Sequence, residues 1–290
     1  MKKIQKYYKY IKLLLFLLLF LYLILFYFNQ NKIKYIKDNV TIVSALFKVK
    51  SKYSFINYLK WVQNLLLLNC SLIFFVDKEI SNLIKVKRPK KYENKTIWIE
   101  TSINEFYSYK HFKNNFIQSF QIDHENSYHS SPLYLVWAEK CNFLKKVIKY
   151  NYFHSECFYW IDAGYFRKKE NKYLNNWPSN KKCYEDPRVI INGLRKITND
   201  EIEGLKNYNY SIYGKFIKKI NVGAGLFGGN QKFLKNFIYL YYKTIKDFIK
   251  HNFFIGKEQN LFAYISYLNP KIVKIINKGN WYYFKDYLSK

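Results

Sequence analysis

Apolar residues recur along this chain in two patterns. Short runs in which nearly every position is apolar alternate with longer stretches in which apolar residues return every three or four positions. The first pattern fits a strand buried on both faces, and the second fits a helix with one face on a core. "NVTIVSALF" predicts a β-branched strand from Val40 to Phe47, residues from about Ser54 to Leu68 read as a helix, and "SLIFFVD" gives a second buried strand ending at Asp77. Two such strands joined through a helix predict a β-α-β unit in a parallel sheet covered on both sides. "KTIWIE", Lys95 to Glu100, adds a third strand to the same layer.

"HSSPLYLVWAEKCNFLKKVIKYN" carries a helix start, with Ser131 as N-cap and Pro132 at the first helical position. Leu133, Val136, Trp137, Cys141, Leu144, Val147 and Ile148 then mark one helical face. The helix leads into "CFYWIDAG", a fourth buried strand that closes on Asp162. In open α/β sheets ligands gather at the carboxyl ends of strands, so Asp162 reads equally as a site carboxylate and as a strand-capping turn residue. Farther on, "KINVGAGLFGGNQKF" packs four glycines into residues 223–229 without the G-x-G-x-x-G register or a P-loop lysine. Such glycines let backbone lie flush against a ligand or another strand. Asn230 caps a helix that buries Phe233, Leu234, Phe237, Ile238, Tyr241, Ile245 and Phe248. "GKEQNLFAYISYLNP" opens another amphipathic helix, with Glu258 near its start, where the macrodipole alone accounts for a carboxylate. No internal repeat and no linker divides residues 40–290.

The segment from Leu13 to Phe28 is uncharged and apolar, bracketed by Lys12 and Lys32. At 1.5 Å per residue it spans about 24 Å, short of a hydrocarbon core of ~30 Å but extended by snorkelling lysines. The residues that follow offer no small-residue cleavage site, which favours a retained anchor over a cleaved signal peptide. Five lysines precede the segment and three closely follow it, placing the N-terminus in the cytoplasm. The expected organisation is a basic cytoplasmic tail at 1–12, a transmembrane signal anchor at 13–31, a stem at 32–39 and one domain at 40–290. That is a single-pass type II membrane protein, in the Golgi or endoplasmic reticulum if eukaryotic or viral and in the inner membrane if bacterial.

A chain of 290 residues, 49% hydrophobic and 21% aromatic, has ample material for a core. Its formal charge of +29 points first to nucleic acid or an anionic membrane. Yet only Arg88, Arg167, Arg188 and Arg195 among 49 basic residues are arginine, and Lys, Asn, Ile, Tyr and Phe are all abundant, as A/T-rich codons would give. With no zinc-finger, RNP-like or basic-zipper pattern, no specific nucleic-acid partner is expected. Cys70, Cys141, Cys157 and Cys183 show no zinc spacing; they allow up to two disulfides, and each equally suits a buried thiol. Sequons at Asn39, Asn69, Asn94 and Asn209 fit lumenal exposure, though so Asn-rich a chain produces them by chance.

"QIDHENSYHSS" concentrates Asp123, His124, Glu125 and His129 in a polar loop. The two histidines stand five apart, not at the four-residue spacing of a helical zinc motif, and no G-x-S-x-G elbow occurs, so zinc-protease and serine-hydrolase chemistry lack a foothold. A loop at the carboxyl edge of the sheet that contributes ligands or sugar contacts remains.

Taken together, "TIVSALF", "HSSPLYLVWAEKCNFLKKVIKYN", "FYWIDAGYFR", "VGAGLFGGN", "KEQNLFAYI" and "WYYFKDYL" resemble the HtrL/YibB family over residues 40–288. Members of that family look like GT-A-type glycosyltransferases, and some are linked with lipopolysaccharide-core assembly. The resemblance implies a GT-A-like (Rossmann-like) α/β fold, a mixed, mainly parallel sheet flanked by helices and preceded by the N-terminal transmembrane helix. It implies a nucleotide-sugar donor, a glycan or glycolipid acceptor, and Asp162 in the place of the D-x-D motif. Here Gly164 stands where the second carboxylate belongs, so a divalent cation, Mn²⁺ or Mg²⁺, would be held by Asp162 with help from elsewhere, or Arg167, Lys168 or Lys169 would neutralise the diphosphate directly. Glu258 and Gln259 resemble the acidic-Gln pair in which the carboxylate serves as general base. Gly225, Gly228 and Gly229 are implied as an acceptor-side wall, Trp281 as a sugar-stacking ring, and Asp123, Glu125, His129 and Lys140 as further donor or acceptor contacts. The alternative is a membrane-tethered glycan-binding or assembly protein that kept the fold and lost the metal site.

Overall fold

The computed structural model describes residues 13–21, 35–175, 177–277 and 279–290. Ile36–Lys290 forms one compact unit and Met1–Tyr35 a separate one. In the Met1–Tyr35 unit, residues 13–21 are helical and exposed. The tail expected at 1–12, the remainder of the span expected at 13–31 and the first residues of the stem lie outside the described residues. Among the described residues no helix is long and apolar enough to cross a membrane.

The larger unit is an α/β fold built on a seven-stranded sheet. Its strands are β1 (Val40–Leu46), β2 (Ser71–Val76), β3 (Thr96–Glu100), β4 (Cys157–Ile161), β5 (Val189–Gly193), β6 (Val222–Asn230) and β7 (Val273–Asn277). They lie in the order β3-β2-β1-β4-β6-β5-β7, with β6 alone antiparallel to its neighbours. The β-branched and aromatic runs form strands because every residue of β1, β2 and β4 is buried, which a parallel sheet covered on both faces allows. Five helices of eleven residues or more accompany the sheet: α1 (Phe55–Leu66), α2 (Tyr107–Ile122), α3 (Ser131–Tyr150), α4 (Gln231–Lys250) and α5 (Glu258–Leu268).

Local chemistry sets most helix starts. Ser54 caps α1 by accepting from the Asn57 N–H, and Asn230 caps α4 by accepting from the Lys232 N–H. The start of α3 falls one residue earlier than expected. Ser130 is its N-cap, Ser131 its first residue, and the Ser130 hydroxyl donates to the Lys50 carbonyl instead of capping the helix. The α4 stripe is buried at Leu234, Phe237, Ile238, Tyr241, Ile245 and Phe248, while Phe233 is only half-buried.

The glycine run is not an edge. It is the nine-residue strand β6, between β4 and β5. A Cβ on Gly228 would stand 2.2 Å from the Phe158 carbonyl oxygen, and one on Gly229 would stand 2.3 Å from that of Arg188. Both glycines therefore answer to neighbouring backbone, not to a ligand. Of the four cysteines, Cys157 at the start of β4 is disulfide-bonded to Cys183, while Cys70 and Cys141 are buried free thiols.

Two outcomes follow for stability. Gly228→Ala should lower the unfolding free energy by about 2–3 kcal/mol, because the nearest atom it meets is a backbone carbonyl oxygen; an unshifted denaturant midpoint would show that β4 and β6 can part freely. Cys183→Ser opens a loop of sequence separation 26 and should destabilise by about 3 kcal/mol. Reducing agent should lower the melting temperature of the parent and leave that of the variant unchanged.

Candidate functional site

The chain leaves β1 toward β2 and β3 and then returns on the other side of β1 as β4. This reversal makes the β1/β4 boundary the switch point at which an open α/β sheet leaves a crevice. A cavity of about 470 Å³ opens there. Leu46 at the end of β1 and Phe47 after it, Asp162 to Tyr165 following β4, Tyr58 from α1, Trp137 and Lys140 from α3, and Trp281 line it. The size suits a small-molecule ligand.

Asp162 is fixed from three sides. Its backbone N–H donates to the Gly225 carbonyl at 2.8 Å, extending the β4/β6 pairing by one residue. Its Oδ1 accepts from the Trp160 indole at 2.7 Å and faces the Lys140 ammonium at 2.8 Å. Trp160 reaches it because residues two apart on a strand share a face. Oδ2 takes part in neither of these two contacts, and the side chain stays 39% exposed. Gly225 accommodates this carboxylate, since a Cβ there would lie 3.3 Å from Oδ2.

Lys140 is 2% exposed, and its Nζ also meets Glu258 Oε1 at 2.7 Å and the Ala224 carbonyl at 3.3 Å. Three acceptors thus match the three N–H bonds of the ammonium. Burial alone pulls the Lys140 pKa down, but Asp162 and Glu258 more than offset it, and the net shift is upward, so the group stays charged. Burial pushes the Glu258 carboxyl up, with Lys140 holding it back in part. One ammonium thus stands between two carboxyl groups beside the cavity.

Arg167 lies over the Trp61 ring at 3.4 Å and within 4.7 Å of the Tyr53 ring, and its Nε is buried without a hydrogen-bond partner. The rings hold the guanidinium plane and leave donors unspent. Gly164 has a packing reason to lack a side chain, since a Cβ would stand 3.1 Å from both the Trp61 and the Tyr58 rings. A side chain at this position would press on both rings, which would have to yield by a few tenths of an ångström.

Asp162, Lys140, Arg167 and Trp281 therefore meet at one cavity, with Gly225 against Asp162. The remaining expected residues fall elsewhere. Glu258 is 5% exposed and lies behind Lys140, not on the cavity wall, which removes it from reach of a hydroxyl there. Gln259, beside it, is half-buried and does not line the cavity. Gly228 and Gly229 are inside the sheet, as described above. Asp123 and Glu125 clamp Lys257, one residue before α5, at 3.0 and 2.5 Å, and Tyr134 donates to Asp123 Oδ2 at 2.5 Å. His129 packs edge-on against Trp137, behind the cavity wall. The residues not anticipated are Trp160, Tyr58 and Trp61. Lys140 falls on the apolar helical stripe, seven residues after Leu133, and a lysine on a buried face demands acceptors.

Two places present carboxylates to which a metal ion could bind. The Asp123, His124 and Glu125 donor atoms lie within 4.8 Å of one another. However, Lys257 and Tyr134 already occupy both Asp123 oxygens and one Glu125 oxygen, so this set does not fit a cation. At Asp162 one carboxylate oxygen is available, which suits an ion that brings most of its ligands with the substrate.

A family model described as "Bacterial protein of unknown function (HtrL_YibB)" matches residues 38–288. No curated protein matches the chain.

The Asp123 clamp has a pH signature. Burial works to raise its pKa, but the Tyr134 hydroxyl, the Glu125 N–H and Lys257 outweigh it, so the folded value lies below the unfolded one. Its contribution is complete above the unfolded value and is lost as pH falls through the folded one. Asp123→Asn should cost about 2 kcal/mol at neutral pH, and that deficit should shrink as pH drops below about 4. A deficit constant with pH would refute the clamp.

Proposed function

The chain belongs to the HtrL_YibB family, and we propose that it transfers a sugar from a nucleotide-sugar donor to a hydroxyl of a glycan or glycolipid. In this reading the sheet is GT-A-like and residues 13–31 anchor the domain in a membrane. The observation that carries the proposal is Asp162, a partly exposed carboxylate held rigidly at the carboxyl end of a central strand, over a cavity at the switch point of the sheet.

A donor in this cavity meets three kinds of group. The aromatic walls, Tyr58 and Trp137, suit planar or apolar ligand surfaces, and Trp281 is available to a sugar face. Arg167 offers a planar fork that matches phosphate oxygens, and Lys52 adds positive charge at the mouth. Asp162 offers one oxygen, Oδ2, because Lys140 and Trp160 hold the other. Where a divalent cation accompanies the donor, it neutralises charge that grows on the leaving diphosphate. Asp162 is the residue that would hold it. Lys140 and Glu258 then serve as positioning groups: Lys140 fixes the carboxylate, and Glu258 balances the buried ammonium instead of acting as the base.

The pairing of Asp162 with Lys140 and the aromatic packing at Gly164 also favour a second reading, a glycan-binding protein without turnover. Turnover separates the two.

The test is a thermal-shift panel of nucleotide diphosphates and nucleotide sugars on the full chain, with and without Mn²⁺, followed by donor hydrolysis and transfer assays. A bound donor should raise the melting temperature by mass action. Asp162→Asn should weaken donor binding or turnover at least about tenfold, equivalent to about 1.4 kcal/mol. Full affinity and activity in that variant would remove Asp162 from the mechanism, and a glycan ligand bound without any nucleotide affinity would favour the second reading.

A further inference from the structure

A second cavity, of about 830 Å³, opens between the C-terminal half of α3 and α4. Ile148 and Ile238 give it an apolar floor together with the rings of Tyr107 and Tyr242, which meet edge to face with centroids 4.9 Å apart. The Tyr242 hydroxyl is buried there without a hydrogen-bond partner. Around the floor stand Lys145 and Lys149 from α3 and Lys235, Lys243 and Lys246 from α4, all exposed, and no carboxylate lines the cavity. Among the described residues none of these five lysines forms an ion pair.

A Lys-rich chain scatters lysines over its surface, and that alone asks for no ligand. The arrangement here is more specific. Lys145 and Lys149 stand at i,i+4 and Lys243 and Lys246 at i,i+3 on their helices, spacings at which like charges repel. An anion relieves that repulsion, but a bare anion has no use for an apolar floor. An uncharged apolar ligand fills the floor and leaves the rim unanswered. The buried hydroxyl of Tyr242 needs a hydrogen-bond partner.

We propose that this cavity binds an anionic phospholipid of a bilayer. The headgroup phosphate sits on the lysine rim, the first part of an acyl chain lies against Ile148 and Ile238, and an ester oxygen accepts from the Tyr242 hydroxyl. The cavity lies wholly within residues 36–290 and uses no residue of the 13–31 segment. It is also independent of the donor site.

The experiment uses the full chain reconstituted in phosphatidylcholine vesicles doped with phosphatidylglycerol that carries a photoactivatable acyl chain, with labelled residues mapped by mass spectrometry. Labelling is expected at Ile238, Tyr239 and Tyr242, and a matching phosphatidylcholine probe should label these positions far less. Lys235→Gln, Lys243→Gln and Lys246→Gln should each raise the phosphatidylglycerol fraction needed for half-maximal labelling roughly fivefold. As exposed substitutions they should leave the melting temperature unchanged, and Asp162→Asn should leave the labelling unchanged. Equal labelling by the neutral probe, labelling confined to other parts of the chain, indifference to the lysine substitutions, or displacement of the lipid by a single-stranded oligonucleotide would each overturn the proposal.

Discussion

The ammonium of Lys140 is the group on which the candidate site depends. A charge buried to this degree is unfavourable unless every proton finds an acceptor. Here the acceptors come from three separate elements: Asp162 after β4, Ala224 within β6 and Glu258 at the start of α5. The cluster contributes little net stability by itself, since the desolvation of three charged groups offsets most of the Coulomb attraction. Its effect is on arrangement. A slip of β4 against β6, or of α5 along the sheet, would leave an unpaired charge inside the protein. The same constraint fixes Asp162 Oδ1 and leaves Oδ2 as the oxygen available at the cavity.

The aromatic residues set the second constraint. Tyr58 and Trp61 fill the space that a side chain at position 164 would need, while Trp61 and Tyr53 hold the Arg167 guanidinium. The small residue at position 164 and the placement of the arginine thus both answer to Trp61 on α1. The cavity therefore presents one stacked guanidinium and one carboxylate, both set by their neighbours.

Helix α3 serves both cavities. Trp137 and Lys140 face the one over Asp162, and Asn142, Lys145, Ile148 and Lys149 face the other. Its lysines show how burial divides one residue type into two roles: Lys140 is held by three acceptors, while Lys145 and Lys149 stand exposed without a carboxylate beside them.

Much of this was legible in the chain. The apolar runs specified buried strands at 40–46, 71–76 and 157–161 because a strand covered on both faces needs an unbroken apolar run, and "KTIWIE" marked the less buried edge strand at 96–100. Ser54 and Asn230 announced their helices through local hydrogen bonds, and Asp162 followed its strand at the end where ligands collect. Elements with weak patterns escaped: α2 mixes aromatic and polar residues with little periodicity, and β5 and β7 are five-residue strands. The disulfide partner of Cys157, the backbone contacts of Gly228 and Gly229, and the position of Glu258 behind Lys140 were decided only in three dimensions. Local periodicity reports which face of an element is buried. It does not report which distant element covers that face, and the charges meeting at Lys140 stand up to 118 residues apart in sequence.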